Sequence, residues 1–333
     1  MRSSRLARFG TRLLTALVTA GLVASLAGGT VSAQREGDLV VGVTSDPDTL
    51  FPWKATQFQA FALLGLIYDS LVEFDQDLNV VPSIAESWEV SDDGMAVTFK
   101  IREGVTFHDG KPLTSADVKA SLDAILDEAT GAVARSSLAS VASVDAPDDA
   151  TVVLNLTSPD AGILAGLAGP NLAIVSQDDT EEGLSSTPNG TGPFAFGSRR
   201  PNESLTLVAN ESYWREGEPK LASVEFRVIP DESSIVDGLR SGNVQLTILN
   251  DPLVATTAEG DGINISRTPQ LAYHVLMINH NRPPLDDLNV RLAMQCAVDR
   301  QEVLDTAALG EGAVIGPITS PAYLSDPSAR PCP

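Results

Sequence analysis

Histidine, cysteine and lysine are all scarce in this 333-residue chain: three histidines, two cysteines and five lysines. The three histidines, His108, His274 and His280, lie in no H-E-x-x-H or cysteine-rich setting, so a zinc centre has no support and no metal or cofactor is expected. Cys296 sits in an apolar stretch and Cys332 in a proline-rich tail, which gives no disulfide framework; a buried, inert Cys296 is the expectation. Few lysines against 44 acidic residues leave no basic patch, so a nucleic-acid or anionic-lipid partner is excluded. The acidity serves solubility first, with attraction for cationic ligands a secondary implication. No long apolar run is present either. The longest, Leu13–Leu26, falls short of the about 20 residues that cross a hydrocarbon core. No internal repeat is visible, which sets aside solenoids and propellers.

That run does have a meaning. Arg2, Arg5, Arg8 and Arg12 precede it and the small residues Val31, Ser32 and Ala33 close it, the pattern of a secretory signal peptide over residues 1–33, cut before Gln34. Loss of its four arginines takes the formal net charge from −22 to −26. A lipoprotein site would need cysteine after Leu26, Ala27 and Gly28, but Gly29 follows, so the expected product is a soluble extracytoplasmic protein and not a lipoprotein. The roughly 300 remaining residues suit two compact units.

Along the chain, Leu39, Val40, Val41 and Val43 predict a buried strand, and Asp46, Pro47 and Asp48 a turn after it. Residues 56–69 predict a buried helix with Phe58, Phe61, Ala62, Gly65 and Tyr68 as one stripe. Val97, Phe99 and Ile101 alternate with polar neighbours after the Asp92–Asp93–Gly94 turn, a hairpin with one buried face. Thr114 and Asp117 have capping-box spacing ahead of Val118, Leu122, Ile125 and Leu126. A second hairpin turns at Pro147–Asp149 into a strand at 151–156, and Gln177–Gly192 is polar and rich in turn formers, a connecting loop. Strands follow near 205–209, 224–229, 244–249 and 273–279, with a helix between Asp231 and Arg240 and an unstructured end from Leu324. The order is mixed α/β with many antiparallel pairs.

Searches for catalytic patterns return nothing. There is no G-x-S-x-G elbow. Gly104 to Lys111 departs from a phosphate loop, since five residues separate its glycines and Pro112 follows the lysine. Paired acids such as Asp46/Asp48 and Asp286/Asp287 sit among turn formers, where solvated turns explain them better than acid–base chemistry. His108, between Phe107 and Asp109, reads as a histidine hydrogen-bonded within its turn ahead of a ligand or base.

The segment PSIAESWEVSDDGMAVTFKIREGVTFHDGKPLTSADVKASL, Pro82 to Leu122, closely resembles the signature region of the family 5 solute-binding proteins, which serve dipeptide, oligopeptide, nickel and related ABC importers. Pro82, Ala85, Glu86, Trp88, Asp93, Gly94, Thr98, Phe99, Arg102, Phe107, His108, Asp109, Gly110 and Thr114 keep the family spacing. DPDTLFPW from Asp46, TGPF from Thr191, NESYW from Asn210, LRSGNVQL from Leu239 and NHNRPPLDDLNVRLAMQCAVDRQEVL from Asn279 follow in family order. The resemblance implies a two-lobed architecture of the type II periplasmic-binding-protein kind. Residues 34–75 and 188–268 would form lobe I, 76–187 an inserted subdomain, and 269–333 the beginning of a second lobe that is incomplete, because family members continue well past this point. It also implies a monomer that binds a small peptide or similar solute by hinge closure and passes it to membrane permease subunits, with no enzymatic activity. Ser45, Asp46, Thr49 and Leu50, in the loop after the first strand, would line the ligand site, with Asn189 and Thr191 as weaker candidates; Pro82–Leu122 would determine the fold instead. Two competing expectations are a secreted hydrolase that uses the acidic residues and a truncated fragment unable to bind.

Overall fold

A computed structural model describes residues 37–260, 262–267 and 275–314. The signal-peptide segment, the first two residues of the expected strand at 273–279, and the proline-rich end with Cys332 lie outside these residues.

The first strand, β1 (Asp38–Val43), runs parallel both to β10 (Ser223–Val228) and to the short β11 (Leu246–Thr247). Antiparallel β9 (Ser204–Ala209) and β8 (Phe194–Arg200) complete a five-stranded sheet in the order β11-β1-β10-β9-β8. β8 escapes a pattern search because Gly197, Ser198 and two arginines break its alternation, and a register shift falls at the same place. Strand pairing at 244–249 is confined to two residues of β11.

α1 (Phe58–Ile67) corrects the sequence expectation about its face. Ala60, Leu63, Leu64 and Ile67 are buried at i, i+3, i+4, i+7 spacing, whereas Phe58 is 60% exposed and Gly65 is on the open side. The helix is apolar all round, so periodicity alone cannot choose between the two stripes.

A second sheet, order β4-β5-β7-β6, is antiparallel throughout and comes entirely from Ala85–Leu156. Its strands are β4 (Ala85–Val90), β5 (Ala96–Ile101), β6 (Val141–Asp148) and β7 (Thr151–Leu156). Val97, Phe99 and Ile101 of β5 and Val152 and Leu154 of β7 bury one face, as their alternation predicts. α2 (Ser115–Leu126) covers that face with Val118, Leu122 and Ile125. Its capping box forms: the Thr114 N–H donates to Asp117 Oδ2 at 2.9 Å. A small hairpin of β2 (Val72–Phe74) and β3 (Val80–Pro82) lies between the two sheets in sequence.

Further helices are α3 (Ile163–Leu167), α4 (Glu181–Ser186), α5 (Glu232–Ser241) and α6 (Pro252–Ala258). α4 lies inside the stretch expected to be loop; Thr180 caps it by accepting the Gly183 N–H, and two glutamates occupy its first turn. α5 starts at Asp231, whose Oδ1 accepts the Ser234 N–H at 2.8 Å, and stops at left-handed Gly242. Its Ile235 packs so tightly on β1 that a Cβ on Gly42 would come within 2.7 Å of it.

α7 (Leu288–Ala297) and α8 (Arg300–Ala307) contain no buried residue, and neither does the rest of 275–314. Residues 275–279 are not a strand: Val275, Leu276 and Met277 are 59%, 70% and 87% exposed, and the segment pairs with no strand among the described residues. Cys296 is exposed and disulfide-bonded, which corrects the expectation of a buried free thiol. The apolar residues around it do not form a core that would enclose it. Among the described residues no helix is long and apolar enough to cross a membrane.

Candidate functional site

Two hydrogen-bonded clusters hold the residues singled out from the sequence, and they are joined through Tyr68. The first is the loop leaving β1. Asp46 Oδ2 accepts from Arg199 Nη2 at 2.8 Å and from the Asn202 N–H at 3.0 Å, so Asp46 fastens the loop to the β8–β9 turn. Its Oδ1 and Arg199 Nε are buried without a protein partner. Asp48 accepts from Thr49 N, Thr56 N and Thr56 Oγ1. Partial burial pushes its carboxyl up, but these hydrogen bonds outweigh that and hold it below the usual carboxylate range. Thr49 Oγ1 accepts the Phe51 N–H at 3.0 Å, a local turn contact. Leu50 has no exposed surface; its side chain belongs to the core beside Phe51 and Trp53, and its carbonyl accepts from the Tyr68 hydroxyl at 3.4 Å. Ser45 is half-buried on the same loop. The start of α1 carries Gln57, whose Oε1 is buried without a protein partner, exposed Phe58, and Gln59, which donates to Thr44 Oγ1 at 3.5 Å and so brings the helix to the end of β1.

The second cluster surrounds Asn189–Gly192, the strap of chain that leads into β8. Asn189 donates from Nδ2 to Asp179 and accepts the Asp109 N–H at Oδ1, so both ends of its amide are engaged. Thr191 is fully buried and donates to Asp69 Oδ2 at 3.0 Å. His108 grips the strap at two points: Nδ1 accepts the Gly190 N–H at 3.2 Å and Nε2 faces the Gly192 carbonyl at 3.1 Å. A ring nitrogen that accepts is unprotonated, so this geometry requires the neutral tautomer with hydrogen on Nε2. Burial also pushes His108 below its ordinary value, with the Gly192 carbonyl and Asp109 opposing. The histidine is therefore structural, but its partners lie across the strap and not within its own turn.

Sequence reasoning missed the centre of this cluster, Asp69. It is buried, and it accepts from Thr191, from Trp214 Nε1 at 2.9 Å and, at 3.5 Å, from the Tyr213 hydroxyl. Burial pushes its carboxyl above the usual range; the hydrogen bonds from Trp214 and Thr191 and the Arg215 charge pull the other way without overcoming it. Arg102 and Arg215 stack on the Trp214 ring at 4.5 and 4.4 Å, and Arg215 also pairs with Glu73 at 2.6 Å. The only sequence signal was an acid directly after an apolar helix, and the NESYW segment that supplies its partners. Among the described residues no group of histidine, cysteine and acidic side chains is arranged to hold a metal ion.

The chain is an α/β body with a mixed five-stranded sheet and an all-antiparallel companion sheet, and its loop carboxylates Asp46 and Asp48 are committed to internal contacts. Residues 79–331 match the family described as bacterial extracellular solute-binding proteins, family 5, and the chain belongs to that family. Among curated relatives it is 33% identical over 311 residues to Protein XP55 of Streptomyces lividans, covering 90% of this chain and 54% of that one. It is 28% identical to the glutathione-binding protein GsiB of Escherichia coli, covering 95% and 62%. The chain thus spans little more than half the length of the curated relatives it matches. Among solved structures, the oligopeptide-binding protein AppA of Bacillus subtilis, in complex with a nonapeptide, superposes with a TM-score of 0.79 at 29% identity over 87% of this chain and 59% of AppA. DppA of Helicobacter pylori, an ABC transporter-associated periplasmic binding protein in complex with the peptide STSA, gives 0.75 at 27% over 82% and 59%.

Proposed function

We propose that this chain is the extracytoplasmic solute-binding component of an ABC importer for peptides or similar small solutes, exported by residues 1–33. The observation that carries this is the likeness to peptide-bound AppA over most of the chain. Residues 34–75 and 188–268 act as lobe I and 76–187 as its inserted subdomain; 269–333 opens the second lobe. The protein works as a monomer, closes over ligand by a hinge, and presents the closed form to membrane permease subunits without covalent chemistry.

On lobe I the ligand meets the loop from Ser45 to Thr49. Asp46, Thr49 and Leu50 shape that loop from behind, because their side chains are engaged internally. Ser45, the Gln57 amide and the exposed Phe58 ring are the groups beside it with capacity to spare. Asn189 and Thr191 act at one remove, holding the strap.

A second reading, a chain that does not bind alone, is favoured by the absence of any buried residue in the described part of 275–314, which leaves no packed wall opposite lobe I. One experiment separates the two. Thermal unfolding of the chain is followed with a short-peptide mixture, with glutathione and with a nickel–histidine complex. A ligand present at about 100 times its Kd adds ~2.7 kcal/mol and raises the midpoint by several degrees. No shift with any of the three, in a chain that unfolds cooperatively, refutes binding by this chain.

A further inference from the structure

Asn189–Gly190, at the head of the strap, is the only Asn–Gly pair in the sequence. Such a pair is chemically labile: glycine has no Cβ to shield its backbone nitrogen, so that nitrogen reaches the preceding side-chain amide with little hindrance. The fold holds each atom the reaction would have to move. Asn189 Nδ2, which would leave as ammonia, donates to Asp179 Oδ2 at 3.0 Å, and Asn189 Oδ1 accepts the Asp109 N–H at 3.2 Å. The Gly190 nitrogen, the attacking atom, donates its hydrogen to His108 Nδ1 at 3.2 Å. We propose that Asn189 is a deamidation site protected by the closed strap, and that its conversion to a carboxylate releases the strap irreversibly.

In the reaction the Gly190 nitrogen bonds to Asn189 Cγ as the Cγ–Nδ2 bond breaks, and the hydrogen lost from Gly190 leaves with the amide as ammonia. Water then opens the cyclic imide at either carbonyl, giving aspartate or isoaspartate. Ring closure turns Cγ away from Asp179 and Asp109 and removes the N–H that His108 accepts, so it requires all three bonds to break. The backbone has no room to shift toward α1 in compensation, since a Cβ on Gly190 would lie 2.0 Å from the Ile67 carbonyl oxygen. Deamidation therefore waits on local opening of the strap. The product cannot close it again. Burial already pushes the Asp179 carboxyl above its ordinary value, and the Asn189 hydrogen bond is the main influence in the other direction. A carboxylate at position 189 removes that donor and sets two anions face to face, beside Asp109 and Asp178, while Lys111 is paired to Asp178 at 2.9 Å. Isoaspartate also adds a methylene to the backbone where the strap passes α1.

The test is incubation of the wild-type chain at neutral pH, folded and in guanidinium chloride, with peptide mapping by mass spectrometry for aspartate and isoaspartate at position 189. In denaturant Asn189 should convert ahead of the other asparagines. In the folded chain it should convert at least about tenfold more slowly, because opening breaks a hydrogen bond to a carboxylate along with two others. Asp179→Ala, in a chain that still unfolds cooperatively, should speed conversion when folded and leave the rate in denaturant unchanged. Equal rates folded and unfolded, or no acceleration in Asp179→Ala, overturn the protection. Release is read from amide hydrogen exchange at Gly190 and Gly192, which should be at least about tenfold faster in Asn189→Asp than in wild type, with the gap narrowing as acid protonates one of the paired carboxylates. Should that variant fail to fold, wild-type chain partly converted in denaturant and then refolded gives the comparison within one sample. Converted and unconverted chains that exchange alike at these two amides overturn the release.

Discussion

Replacement of Gly190 by alanine places a methyl group 2.0 Å from the Ile67 carbonyl oxygen and 2.8 Å from the Tyr68 ring. The nearest obstacle is backbone, so no side chain can swing aside, and the strap must withdraw by ~1 Å to reach van der Waals distance. Withdrawal stretches four contacts at once: Gly192 N–H to Ile67 O, Gly190 N–H to His108, His108 N–H to Gly190 O, and Thr191 to Asp69. Buried neutral hydrogen bonds contribute ~0.5–1.5 kcal/mol each and one to a carboxylate ~1.5–3. Losing two or three of them, with strain from overpacking of ~1–3 kcal/mol, makes the expected cost about 4 kcal/mol. Against a total stability on the order of 5–15 kcal/mol, that removes from about a quarter to most of the whole. The same substitution at Gly65 provides the contrast. A Cβ there meets nothing within 4 Å on the exposed side of α1, and alanine should stabilise by ~0.5–1 kcal/mol through helix propensity. Urea denaturation with an unchanged m-value measures both. If Gly190→Ala costs less than ~1 kcal/mol, or Gly65→Ala costs more than Gly190→Ala, the close approach of strap and helix is not as described.

Two further expectations concern single side chains. Asp231→Ala removes the N-cap of α5 and should lower stability by ~1 kcal/mol, with Asp231→Asn restoring most of it; urea midpoints for the pair decide. Asp48→Asn tests the loop after β1. The Asp48 carboxyl is held below its ordinary 3.8, so its contribution is present above that value and is lost as pH falls through the lower folded one. The gap between wild type and variant should therefore be widest near neutrality and close below pH 3.8; a gap that widens with acid contradicts the hydrogen bonds from Thr56.

Local signals carried much of the fold. The β4–β5 and β6–β7 hairpins, the Thr114–Asp117 box and the helix between Asp231 and Arg240 each need only a few neighbouring residues, and all stand where the spacing puts them. What could not be read depends on contacts across the chain. The buried face of α1 is chosen by the core beneath it, since Phe58 and Leu64 are equally apolar in sequence. β8 is recognisable only by its pairing with β9. In the candidate site, Asp46 and Thr191 were legible as polar residues in turn-rich segments, but their employers, Arg199 and Asp69, lie 153 and 122 residues away. Leu50 illustrates the reverse error: a residue beside a loop acid looks available for ligand until the core closes over it. Cys296 is a third case, because bonding of an exposed cysteine leaves no trace in its own neighbourhood.

The hydrogen bond between Gly192 and Ile67 has a mechanical consequence. Chain leaves the five-stranded sheet's layer through α1 and comes back along the strap, so the outgoing and incoming threads are stapled side by side. The segment between them, which includes the whole β4–β7 sheet, is fastened a second time to the loop ahead of α1: Trp53 Nε1 donates to the Ala173 carbonyl, Asn171 to the Pro52 and Ala55 carbonyls, and the Val133 N–H to the Trp53 carbonyl. Lifting it away would therefore break these bonds as well as the staple, so the two parts share one buried core and unfold together.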